Sequence, residues 1–172
     1  YLKPGSSKNR LGVLVEGARI SLYINGNLVK TITDNSLSYG YVGVFVLPSG
    51  YDRAQVDFNR MTIYTVDKAK QALGSAPASP AGILFQDDFS SKQQSEQLGW
   101  ELETSSISDR LWSPNKLTIA IKQKNAIDVC LPGRVFDNFG VEIEAQPENK
   151  PGIEYGIAFR YTHKEGLSSF YA

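Results

Sequence analysis

The run Ala18-Arg19-Ile20-Ser21-Leu22-Tyr23-Ile24, followed by Asn25-Gly26 and by Asn27-Leu28-Val29-Lys30-Thr31-Ile32, restricts the fold of this chain more than any other part of it. Ile20, Leu22 and Ile24 alternate with Arg19, Ser21 and Tyr23, so an extended strand here has one apolar and one polar face. Asn-Gly is the favoured pair for a type I′ turn because both residues tolerate positive φ, and that turn matches the twist of antiparallel strands. A hairpin is expected. Period-2 alternation recurs at residues 11–15, 41–47 and 55–66, the last with Val56, Phe58 and Ile63 as core candidates. It resumes at 83–89, 100–103, 117–122, 127–131, 139–145, 155–162 and 169–172. Helical periodicity is nearly absent, and Gly, Pro, Asn and Asp fill the connections. The fold class is all-β: two antiparallel sheets packed as a sandwich or jelly roll.

Between residues 67 and 82 the pattern stops. The segment Asp67-Lys68-Ala69-Lys70-Gln71-Ala72-Leu73-Gly74-Ser75-Ala76-Pro77-Ala78-Ser79-Pro80-Ala81-Gly82 is rich in small residues and proline, and reads as a linker between residues 1–66 and 83–172. Residues 68–73 favour a helical turn that Gly74 would end. The halves carry opposite net charges, +3 before the linker and −3 from residue 67 onward, so they are suited to pair.

Lys plus Arg and Asp plus Glu number 18 each, a balance that argues against a nucleic-acid binder, which needs a basic excess to release counterions. No apolar run approaches the roughly 18 residues of a membrane-spanning helix. One cysteine, Cys130, and one histidine, His163, leave no disulfide framework and no Cys- or His-rich metal centre. Phosphate-cradling glycine loops are absent as well.

Two sets of residues look familiar. Ile83-Leu84-Phe85-Gln86-Asp87-Asp88-Phe89-Ser90, Leu98-Gly99-Trp100, Pro132-Gly133-Arg134-Val135-Phe136-Asp137-Asn138-Phe139-Gly140-Val141-Glu142-Ile143-Glu144-Ala145 and Tyr155-Gly156-Ile157-Ala158-Phe159-Arg160-Tyr161 together form the first set. Their succession resembles the opening half of concanavalin-A-like (laminin-G-like) jelly-roll domains of bacterial multidomain surface proteins, relatives of the 3-keto-disaccharide hydrolase family. Asn9-Arg10-Leu11-Gly12-Val13-Leu14-Val15-Glu16-Gly17-Ala18-Arg19-Ile20, continuing through the hairpin to Tyr41-Val42-Gly43-Val44-Phe45, is similar to the closing half. The order is reversed, as in a cut from a tandem array or in a circular permutant. Tyr1-Leu2-Lys3-Pro4-Gly5, without an initiator methionine, also reads as a piece of something longer. The resemblance implies an extracellular or cell-envelope module. Its halves would close on each other, or on other copies and neighbouring repeats by strand complementation through residues 11–15 or 155–162, building a fibre.

The candidate chemistry is sparse. Glu142 and Glu144 fall on one face of a strand, as the acid and nucleophile of a retaining glycosidase would. The third carboxylate, Glu148, comes too late and after Pro147, so the plain reading is a polar outer face opposite Val141, Ile143 and Ala145. Asp88 is the candidate ligand for a structural Ca²⁺, its other reading being a turn cap. His163 reads as a surface turn residue and Cys130 as a buried, unreactive thiol. Tyr39, Tyr41, Tyr51, Trp112, Tyr155, Tyr161 and Tyr171 cannot all enter one core, and of these Tyr39, Tyr51, Trp112 and Tyr161 are the leading candidates for stacking on sugar rings, against a role in core or interface. Arg160 is expected to alternate outward beside Tyr161, placed to hold a carboxylate or an aromatic ring, its other reading being a scaffold residue. These observations point to a non-catalytic structural or adhesive module, self-assembling or repeated, that binds glycans and no nucleic acid. The competing class is a glycoside hydrolase or 3-keto-glycoside hydrolase relative.

Overall fold

A computed structural model describes residues 1–51, 53–73, 81–164 and 167–172. The first half contributes β1 (Asn9–Glu16), β2 (Arg19–Ile24), β3 (Asn27–Thr33), β4 (Gly40–Pro48) and β5 (Ala54–Tyr64), then helix α1 (Val66–Ala72). The second contributes β6 (Ile83–Asp87), helix α2 (Lys92–Gln97), β7 (Ser108–Ser113), β8 (Lys116–Ile121), β9 (Asp128–Cys130) and β10 (Val135–Phe136). It ends with β11 (Phe139–Pro147), β12 (Ile153–Lys164) and β13 (Leu167–Tyr171).

Two antiparallel sheets form a sandwich. Sheet A runs β3-β2-β1-β11-β5-β8-β7, with β6 sharing the β8 edge of β5; sheet B runs β10-β4-β12-β13, with β9 beside β10 on β4. The halves interleave strand by strand. β11 lies between β1 and β5, and β4 lies between β12 and the short pair β9 and β10. Residues 11–15 are thus paired on both edges within the chain, to β2 and β11, and offer no edge to another copy. β12 is paired to β4 along much of its length, but β13 covers only its second part, from Phe159 onward.

The hairpin forms as expected, Asn25 and Gly26 taking φ of 51° and 82°. Inward positions of both sheets build one core, with Val15, Ile20, Val56, Phe58, Met61, Ile63, Val141 and Ile143 all nearly inaccessible. The change from even to odd inward positions along β5 has a cause: the register with β11 shifts at Glu144/Ala145, so Asn59 is an extra residue and Met61 and Ile63 stay inward. Trp100 is in the core, 5.4 Å from the Phe89 ring and 6.2 Å from that of Phe85. Its segment is not a strand, although alternation suggested one; Thr104 makes a single bridge to Asp109.

The start of the presumed linker is a packed helix. Ala69 and Ala72 of α1, with Leu73 capping its C-terminus, press on Leu14 and Tyr64, on the face of sheet A away from the main core. The approach is close enough that a Cβ on Gly140 would overlap Ala69, and one on Gly12 would lie 2.6 Å from Leu73 Cδ2. Gly74, expected to end the helix, lies with the rest of 74–80 outside the described residues. α2 was not expected because it is polar on every side. Its start was legible in Ser91, whose Oγ accepts from the Gln94 backbone N–H at 3.3 Å.

Candidate functional site

The paired glutamates join the halves together. Glu142 and Glu144 project from β11 onto the outer face of sheet A, flanked by Arg10 on β1 and Arg60 on β5. Arg10 Nε is 3.4 Å from Glu142, Arg60 reaches both carboxylates and Lys8 stands 3.8 Å from Glu144. These cations come from the positive half and the carboxylates from the negative half, so the charge asymmetry of the sequence is realised as cross-strand ion pairs. The outer-face reading holds for position, but Glu142 is only 5% exposed beneath the arginines. Burial raises its carboxyl pKa, Arg10 and Arg60 oppose that shift, and Glu144 adds to it.

Asp88 is an exposed turn residue whose Oδ1 accepts from the Ser90 N–H at 3.0 Å; the Ser90 hydrogen bonds hold its pKa down. Asp87 is the buried member of the pair, bonded to the Phe89 N–H at 2.8 Å. Among the described residues no group of three or more His, Cys, Asp and Glu side chains gathers as metal ligands. Cys130 is buried on β9, and burial pushes its thiol up to about 12.

Arg160 reverses the orientation expected of it. A bulge in β12, with Arg160 at φ 52°, turns its side chain inward to 1% exposure. There Nη1 donates to the Leu37 carbonyl at 2.6 Å and Nη2 to the Gly17 carbonyl at 2.5 Å. The Tyr171 hydroxyl donates to Asp34 Oδ1 at 2.7 Å, and the Gly17 N–H donates to Asn138 Oδ1 at 2.6 Å. Together these bonds hold the β1–β2 turn and the loop after β3 against the second half. Strict alternation could not reveal this, because the bulge exists only in the paired strand.

The Tyr171 bond, then those from Ser36, lower the Asp34 pKa from 3.8 to about 2. The folded state therefore prefers the carboxylate. Its contribution to stability is complete above about pH 4 and is lost as pH falls toward about 2. Tyr171→Phe should be destabilising at pH 6 by urea titration, and the difference from the unsubstituted protein should shrink markedly at pH 2.5. A difference that stays constant with pH would sink this assignment.

The four aromatic candidates lie apart. Tyr39 is 61% exposed beside the Arg160 loop, Tyr51 is 46% exposed near Gly152, and Trp112 on β7 packs partly against the core. Tyr161 alone has an aromatic partner suited to a site. The bulge that buries Arg160 places Tyr161 opposite Tyr41 in the β12–β4 register, and the two border a recess of about 250 Å³ with Val129, Leu131 and Glu101. The Tyr161 hydroxyl shares a 2.8 Å hydrogen bond with Ser168 Oγ, which also meets His163 Nδ1 at 3.0 Å. Tyr41 stands among the exposed aromatics the sequence offers, but its place opposite Tyr161 became visible only with the register.

The arrangement offers aromatic faces, a carboxylate acceptor and hydroxyls in a shallow recess. No family model matches the sequence, and no curated protein matches it.

Proposed function

We propose that this chain is a non-catalytic structural and adhesive β-sandwich module of the concanavalin-A-like kind, a repeat of an extracellular or cell-envelope protein, and that it holds glycans in the Tyr41/Tyr161 recess. The observation that carries the glycan reading is the pairing of Tyr41 and Tyr161 across β4 and β12 beside the exposed Glu101 carboxylate. Flat apolar rings flanked by hydrogen-bonding groups suit the faces and hydroxyls of a sugar. The non-catalytic reading is supported by the ion pairs that hold Glu142 and Glu144, and by the burial of the former. The resemblance to bacterial surface-protein modules supports the repeat and the extracellular setting.

Titrating the protein with neutral gluco-, manno- and galacto-oligosaccharides tests this, with resonances of Tyr41 and Tyr161 as the readout. At least one series should perturb both rings, and Tyr161→Ala should weaken that binding about tenfold, the loss of one stacking contact of about 1.4 kcal/mol. Absence of perturbation with every sugar would overturn the glycan reading. Release of reducing sugar that Glu142→Gln abolishes would overturn the non-catalytic one.

A further inference from the structure

The tyrosine recess carries a bias of charge. Tyr161 packs against Phe170 with ring centroids 5.6 Å apart, and its hydroxyl is tied to Ser168, so that wall is fixed before any ligand arrives. Tyr41 stands opposite it at 37% exposure. Among the described residues that line the recess, Glu101 is the only charged one.

The Glu101 side chain is 76% exposed, and its ion partner is Arg110, 3.4 Å away. That guanidinium is already engaged. It donates to Asp128 from Nη2 and Nε, and it stands 3.4 Å from Glu103 as well, so one cation serves three carboxylates. The buried Asp128 takes the short contacts, which leaves Glu101 with the weakest claim on the shared charge. Arg134 follows Gly133 in the chain but lies over Phe85, 5.6 Å from the ring centroid, and donates to the Leu84 carbonyl. The recess therefore sets surplus negative charge beside two tyrosine rings.

Both features favour the same guest. Aromatic faces attract a cation through their quadrupole, and a carboxylate accepts strong, charge-assisted hydrogen bonds from an ammonium group. An exposed carboxylate adds little by charge alone in water, so such a guest must also bring a body that fills the recess, as a sugar ring does. We propose that the recess selects glycans with a free ammonium group, 2-amino-2-deoxy sugars whose N–H groups donate to Glu101 while the ring lies against Tyr41 and Tyr161. The selection rests on the glycan reading above and names its class of sugar. Neutral sugars keep the stacking and lose the ammonium contact, and sugars with a carboxylate meet like charge.

The test compares methyl glycosides of the gluco, manno and galacto configurations, each with a hydroxyl, an ammonium or an acetamido group at carbon 2. Binding is read at pH 6 from the resonances of Tyr41 and Tyr161. In at least one configuration the ammonium form should bind about tenfold tighter than the hydroxyl form. Glu101→Gln should bring that ratio below about threefold, and so should raising NaCl from about 20 mM to about 500 mM with the unsubstituted protein. Methylammonium chloride alone should bind at least tenfold more weakly than the amino sugar. Equal binding of the ammonium and hydroxyl forms would overturn the selection and leave the glycan reading standing. A ratio that survives Glu101→Gln or high salt would overturn it too, as would methylammonium binding as tightly as the amino sugar. Silence from every glycoside would overturn both.

Discussion

Replacing Arg110 with methionine is expected to lower the unfolding free energy by about 3–5 kcal/mol. Arg110 leaves β7 in sheet A and meets Asp128 on β9 in sheet B, donating from Nη2 to Oδ1 at 2.6 Å and from Nε to Oδ2 at 3.0 Å. Asp128 is 5% exposed, so removal of the guanidinium leaves a carboxylate inside the sandwich without its partner. Arg110→Lys should recover only part of the loss, because an ammonium cannot reproduce the two-pronged contact. Arg110→Met combined with Asp128→Leu removes both charges and should cost much less than the single change. Chemical denaturation of the unsubstituted protein, Arg110→Met, Asp128→Leu and the double variant gives the coupling energy, and a value below about 1 kcal/mol would show that the pair does not join the sheets.

The second large effect runs against ordinary strand chemistry. Alanine in place of a mid-strand glycine usually helps, since glycine loses more backbone freedom on folding. Gly140→Ala should instead cost about 2–3 kcal/mol, because the new Cβ overlaps the Cβ of fully buried Ala69 and forces α1 away from sheet A. Adding Ala69→Gly should restore part of the loss by reopening that contact. If Gly140→Ala alone proves neutral in urea titration, α1 is not seated on the sheet.

The strands that alternate cleanly and end in turn residues were legible, as in β2, β3, β4 and β11. Edge strand β7 was not, because Ser108-Asp109-Arg110-Leu111-Trp112-Ser113 exposes Leu111 and turns a charged residue toward the interior. The same reversal hid Arg160. A buried arginine reads from sequence as an exposed one until its acceptors are placed, and those acceptors are main-chain carbonyls more than a hundred residues away. The outward position of the glutamate pair followed from alternation. Their arginine partners could not, since they come from β1 and β5, on either side of β11. Of the tyrosine recess, both Tyr41 and Tyr161 were legible as exposed aromatics, and the register supplied their placement opposite each other.

The interleaving of the halves also sets a timetable for synthesis. β1 and β5 leave the ribosome well before β11, the strand that lies between them, has been made. At ordinary elongation rates that interval is on the order of several seconds. During it β1 and β5 lack the strand that joins them, β5 can pair only with β6 and β8 along its other edge, and β4 has only the short β9 and β10 as neighbours once they are made. A nascent chain of this topology depends on whatever shields it through that delay, and it completes its fold only after β11 and β12 have emerged.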